Sequence, residues 1–160
     1  MTIQAGDKLP QITVSTMTEE GPKPVSMEEL CTGKKVVLFA VPGAFTPTCS
    51  VQHLPGFVTH SDSLKDKGAD VVACISVNDP FVMAAGGKDR NVGEDVLMLS
   101  DGKAEFTSAI GLEMDGSGFG LGTRSQRYAM IIDDGVVSTL NVENGPALDV
   151  SSAEAILKTL

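Results

Sequence analysis

Three features of the 160-residue chain predict an α/β architecture, a central mixed sheet flanked by helices. Two unbroken apolar runs, "VVLFAV" at 36–41 and "VVACISV" at 71–77, have the length and β-branched content of strands buried on both faces. Segments with helical periodicity or helix-start signals alternate with them, which is the pattern of a sheet covered by helices. Asp134-Gly135, set between two further apolar runs, has the signature of a tight hairpin and adds antiparallel strands.

The elements follow in order. "QITVSTM" (11–17) carries strand formers at alternate positions, and 18–24, with Gly21, Pro22 and Pro24, reads as a turn or loop, so the chain starts as a β-hairpin. Ser26 and Glu29 stand at capping-box spacing for a short helix that Gly33 ends, and "KKVVLFAVP" is a central strand. From Thr46 the apolar residues Val51, Leu54, Phe57, Val58 and Leu64 lie on one helical face, and Pro55 within it predicts a kink rather than an end. "ADVVACISV" is the next strand; Asp79 caps a helix with Pro80 at its first position. "EDVLMLSD" is a third strand, "KAEFTSAIGL" a short helix closed by Gly111, and "DGSGFGLG" a flexible loop. The hairpin "RYAMIIDDGVVSTLNV" and a final helix with Ser151 and Glu154 at capping-box spacing complete the order.

Length and composition narrow the function. A chain of this size is expected to form one domain, residues 1–160, and its 42% hydrophobic and 21% charged residues exclude a disordered or fibrous polymer. No apolar run approaches the ~20 residues of a membrane helix. A net charge of −9 with only 12 Lys and Arg argues against nucleic acid as a partner. Cys31, Cys49 and Cys74 are odd in number and widely spaced, with no C-x-x-C, and His53 and His60 add no metal-ligand spacing. Neither a disulfide framework nor a metal site is expected, and reduced thiols together with a leaderless start predict a cytoplasmic protein.

"VPGAFTPTCS" (41–50) holds the chemically suggestive thiol. Thr46 fits an N-cap and Pro47 the first helical position, which makes Cys49 the third helical residue. First-turn amides and the positive end of the helix dipole favour a thiolate there, and the thiolate is the reactive form of cysteine. The same spacing equally fits a cysteine packed into the core.

"PGAFTPTC" presents Pro42, Thr46 and Cys49 as P-x-x-x-T-x-x-C, and with "VVACISVNDPFVM" and "GTRSQRYAMIIDDGVV" it resembles the type II, or Prx5-like, branch of the peroxiredoxins over nearly the whole chain. The resemblance implies a thioredoxin-like fold with an N-terminal extension, and a peroxidase for hydrogen peroxide and organic hydroperoxides that uses no cofactor. It implies Cys49 as the peroxidatic cysteine, Thr46 orienting peroxide and thiolate, Pro42 shielding the sulfur and Arg127 supplying positive charge. Glutathione with glutaredoxin, or thioredoxin, would be the reductant, and a homodimer is a property of such relatives.

Other residues are less determined. Some relatives carry a resolving cysteine before the final helix, where this chain has Ser151. Cys74 matches a second cysteine of the plant-like members and is a candidate for resolution, although its place inside an apolar strand favours a core role. Cys31 reads as a structural or incidental surface thiol, His53 as a hydrogen-bonding structural residue, and Arg124 as a surface or loop ion-pair partner. The alternative to an enzyme is a thioredoxin-like module that relays oxidation or acts as a chaperone without turnover.

Overall fold

The polypeptide begins with a hairpin. In the computed structural model, which describes residues 2–145 and 147–160 with the side chains of Cys49 and Ser50 excepted, β1 (Thr13–Thr18) and β2 (Gly21–Ser26) pair antiparallel from Thr13↔Ser26 to Thr18↔Gly21. The stretch 18–24, expected as a loop, is therefore mostly strand. Pro22 and Pro24 are tolerated because β2 is the outermost strand of the sheet, where a missing N–H need break no ladder bond. Helix α1 (Met27–Cys31) starts as its spacing predicts, with the Ser26 hydroxyl accepting the Glu29 N–H at 3.3 Å.

β3 (Lys35–Ala40) is covered on both faces: Val36, Leu38 and Ala40 enter one core, Val37 and Phe39 the other. The helix expected after it is not a single kinked rod. Pro47 and Thr48 are helical, Cys49–His53 form a π-helical turn, and α2 (Leu54–Thr59) and α3 (Ser61–Asp66) follow with a break at His60. Pro55 explains the π turn. Its ring would press on the carbonyl four residues back, at Val51, and the wider turn relieves that contact without ending the helix.

β4 (Val71–Ser76) runs parallel to β3, and α4 (Pro80–Asp89) is capped by the Asp79 carboxylate, which accepts the Val82 N–H at 2.8 Å. β5 (Leu97–Ser100) is parallel to β4. α5 (Glu105–Ala109) takes its cap from outside its own turn, since buried Asp101 accepts the Phe106 and Thr107 N–H groups at 3.1 and 2.8 Å. The glycine-rich loop is bracketed by two short strands: β6 (Glu113–Asp115) and β7 (Thr123–Ser125) pair antiparallel across it. Gly116 is required there, because a Cβ would lie 2.8 Å from the Leu121 Cβ.

β8 (Tyr128–Asp133) and β9 (Val136–Val142) form the predicted hairpin, with Asp134 and Gly135 at φ 50° and 81° as a type I′ turn demands. α6 (Ala153–Leu157) closes the chain. Its cap is Ser152, whose hydroxyl accepts the Ala155 N–H at 3.2 Å, and not Ser151 as the spacing suggested. The seven-stranded sheet has the order β2-β1-β5-β4-β3-β8-β9. One core lies between the sheet and α1 and α5, the other under α2, α3, α4 and α6. The residues before β1 lie along β9, where the Leu9 N–H donates to the Gly135 carbonyl and Lys8 bridges Val136.

Candidate active site

The carboxyl ends of the parallel strands β3 and β4 frame the site, the usual place for chemistry in an open α/β sheet. Val41 still donates to the Ile75 carbonyl at 3.1 Å, and half-buried Pro42, which has no N–H, stops the pairing there. The loop that follows is held from β4. The Ala44 N–H donates to Asn78 Oδ1 at 3.0 Å, while Ser76 Oγ lies 2.9 Å from the Val41 carbonyl and 3.0 Å from the same amide oxygen. Phe45 sits at φ 68°, a left-handed conformation uncommon for a bulky residue, and the residue is 52% exposed.

Thr46 Oγ1 donates to the Gly43 carbonyl at 2.8 Å. Its proton is thereby committed to backbone, and its lone pairs are what it can offer an incoming O–H. Cys49 is the third helical residue, as its spacing predicted, and it opens the π turn. Its thiol, and the negative charge expected on it, lie outside the described side chains.

His53 stands four residues past Cys49 on the same helical run, and it is where Arg127 arrives. Arg127, directly before β8 and 5% exposed, directs Nη1 at His53 Nδ1 over 2.9 Å. A guanidinium can only donate, so Nδ1 is the acceptor and the imidazole proton resides on Nε2, which donates to the Ser151 carbonyl at 2.9 Å. Burial and the neighbouring Arg127 charge push the His53 pKa down to about 3, with the Ser151 carbonyl and Glu143 acting in the opposite direction. The ring is neutral at physiological pH and is fixed against Phe39 and Phe57 at centroid distances of 5.0 and 5.5 Å. Its structural, hydrogen-bonding role is as the sequence suggested, and its partner is the predicted charged residue.

Sequence reasoning missed Arg124. Far from sitting on the surface in an ion pair, it is half-buried in β7, bonds the Leu121 carbonyl through Nε at 2.9 Å, and makes no ion pair among the described residues. A Cβ on Gly43 would lie 3.1 Å from Arg124 Nη1 and 3.3 Å from Thr46 Cγ2, so glycine is what lets this second guanidinium reach the loop. The glycine in "VPGAF" was the available signal. Cys74 is buried at 1% exposure in the core under α2 and α4, opposite Phe39 in register. Cys31 is not a surface thiol: it is fully buried at the end of α1, and burial pushes its pKa up to about 11 against the pull of Lys34. His60 pairs with Glu154 at 3.1 Å.

The chain matches the redoxin family over residues 4–157. Peroxiredoxin-2E, chloroplastic, from Arabidopsis thaliana is 53% identical over 99% of this chain and 69% of its own length, and Peroxiredoxin-2E-2, chloroplastic, from Oryza sativa subsp. japonica is 54% identical over 99% and 73%. The crystal structure of reduced Prx3 in complex with H2O2 from Vibrio vulnificus is 58% identical, with a TM-score of 0.95 over 99% of each chain. Within the redoxins, this chain belongs to the peroxiredoxins, with their thioredoxin-like fold. It is a thiol-dependent peroxidase, which sets aside the non-enzymatic module. The cytoplasmic expectation is corrected by the two chloroplastic relatives. It rested on reduced thiols and on the reading of the first residues, and a reducing environment is a chemical condition that more than one compartment provides.

Proposed function

We propose that Cys49 is the peroxidatic thiol, with Thr46, Arg127 and Pro42 completing the site. The observation that carries this reading is the 2.9 Å contact of Arg127 with His53, four residues beyond Cys49, which sets a buried positive charge against the helical run that carries Cys49. The Cys49 thiolate attacks one peroxide oxygen; an S–O bond forms, the O–O bond breaks, and the departing oxygen takes a proton from solvent as water or alcohol. Charge on that oxygen is stabilised by Arg127, as an oxyanion would be. Thr46 accepts the peroxide O–H and so orients the attack, while Pro42 limits solvent at the sulfur.

The product is a sulfenic acid, and a thiol must reduce it before further oxidation. Position 151 holds a fully buried serine, so the reductant in this reading is external: glutathione with glutaredoxin, or thioredoxin. The names of the two chloroplastic relatives support a plastid. A homodimer fits the exposed Phe45 beside the site. Cys74 is a core residue in this reading. Cys49→Ser is expected to abolish peroxide turnover with every thiol donor, and Cys74→Ser to retain most of it, in a coupled assay with each donor. Turnover surviving in Cys49→Ser would remove Cys49 from its role; equal loss in both would overturn the one given to Cys74.

A further inference from the structure

We infer that Glu143 is a positioning residue for Arg127, acting through Ser151 and His53; this rests on the role proposed for Arg127 and extends it beyond the peroxide site. Glu143 Oε2 gathers three donors from one short segment: the Asp149 N–H at 2.8 Å, the Ser151 N–H at 2.8 Å and the Ser151 hydroxyl at 2.6 Å. These bonds hold residues 149–151 against the end of β9 and present the Ser151 carbonyl to His53 Nε2, 2.9 Å away. With its proton held there, the ring has its lone pair at Nδ1, where Arg127 donates at 2.9 Å. The Glu143 N–H returns to the Arg127 carbonyl at 2.9 Å, so the circuit closes on the residue it orients.

All four members are withdrawn from solvent, with exposures of 9% for Glu143, 0% for Ser151, 1% for His53 and 5% for Arg127. A neutral imidazole between carboxylate and guanidinium fixes the guanidinium without cancelling its charge, whereas a carboxylate in direct contact would do both. Ser151 is available because Ser152 caps α6. The tautomer also depends on the circuit: if the Ser151 carbonyl turned away, the Nε2 proton would lose its acceptor and Arg127 alone would favour that tautomer, while an Nδ1–H ring would repel Arg127.

The test uses the full chain with Glu143→Gln and Ser151→Ala, reading the rate constant with hydrogen peroxide, the Cys49 thiol pKa from thiolate absorbance, and His53 ring nitrogen shifts by NMR. Glu143→Gln is expected to lower the rate constant about tenfold, as small misplacements of a charge-stabilising group do, and to raise the thiol pKa. Ser151→Ala moves both in the same direction by less. A folded Glu143→Gln protein with wild-type rate and thiol pKa overturns the inference, and so does a variant that is merely less stable with Cys49 reactivity intact. The wild-type nitrogen spectrum decides even if neither variant folds: a neutral Nε2–H ring is required, and an Nδ1–H ring or an imidazolium at neutral pH rules the circuit out. Should wild-type Cys49 not react with peroxide, the functional reading fails separately.

Discussion

Tyr128 follows Arg127 in sequence and turns to the opposite face of the sheet, where its ring is fully buried and its hydroxyl has no hydrogen-bond partner among the described residues. Burial, with Asp101 and Cys74 nearby, raises its pKa so that it stays protonated throughout. An unsatisfied buried hydroxyl costs on the order of 1 kcal/mol, so Tyr128→Phe is expected to stabilise the fold by about that amount in urea unfolding. His53 carries the opposite kind of cost. Its folded-state pKa lies near 3 against 6.5 ordinarily, so between those values the unfolded chain binds a proton that the native ring refuses. Stability is full above about pH 6.5 and declines as pH falls toward 3, by at most about 1.4 kcal/mol per pH unit. Glu143, whose pKa is lowered mainly by the Ser151 and Asp149 donors overcoming its desolvation, adds acid sensitivity of the same sign at lower pH. Unfolding midpoints at a series of pH values should show a flatter slope for His53→Gln than for wild type.

α4 places two glycines side by side in a ten-residue helix, where each costs about 1 kcal/mol relative to alanine. Close approach explains both. A Cβ on Gly86 would stand 3.2 Å from the Ala44 Cβ in the active-site loop, and one on Gly87 would stand 2.9 Å from Met98 Cγ and 3.0 Å from Val92 Cγ2. Met98 can shift, but β-branched Val92 is stiff and buried, and overpacking costs roughly 1–3 kcal/mol, so Gly87→Ala should be destabilising despite its better helix propensity, measurable as a lower urea midpoint. Such contacts are invisible in sequence, whereas the Asp79 cap, the Ser26 cap and the Asp134-Gly135 turn were readable because their determinants are local. The misplaced cap at Ser151 shows the boundary of local reading. Two adjacent serines fit the same motif, and a carboxylate eight residues upstream in sequence takes one of them.

The net charge of −9 surrounds a site that two arginines approach, Arg124 at Gly43 and Arg127 at His53. Hydrogen peroxide carries no net charge, so neither arginine steers its approach at long range, and its rate constant should be insensitive to salt. A hydroperoxide bearing a carboxylate is repelled at long range, and its rate constant should rise between about 0.01 and 0.15 M ionic strength. A fall with salt would mean that the local arginines dominate the approach. Most of the order of strands and helices was legible because apolar periodicity is contiguous, and the candidates 42, 46 and 49 were singled out by one contiguous loop motif and 127 by the family resemblance; the Arg124 approach and the Glu143 circuit were not, because Gly43 lies 81 residues from Arg124, and His53 lies 74 residues from Arg127 and 98 from Ser151. The guarded borders of the sheet have a social consequence. With prolines along β2 and the leading segment laid over the start of β9, the sheet offers a sister chain little to continue by strand addition. Any contact between copies is left to loops and helix faces, and a crowded solution of this protein should stay dispersed rather than grow into fibres.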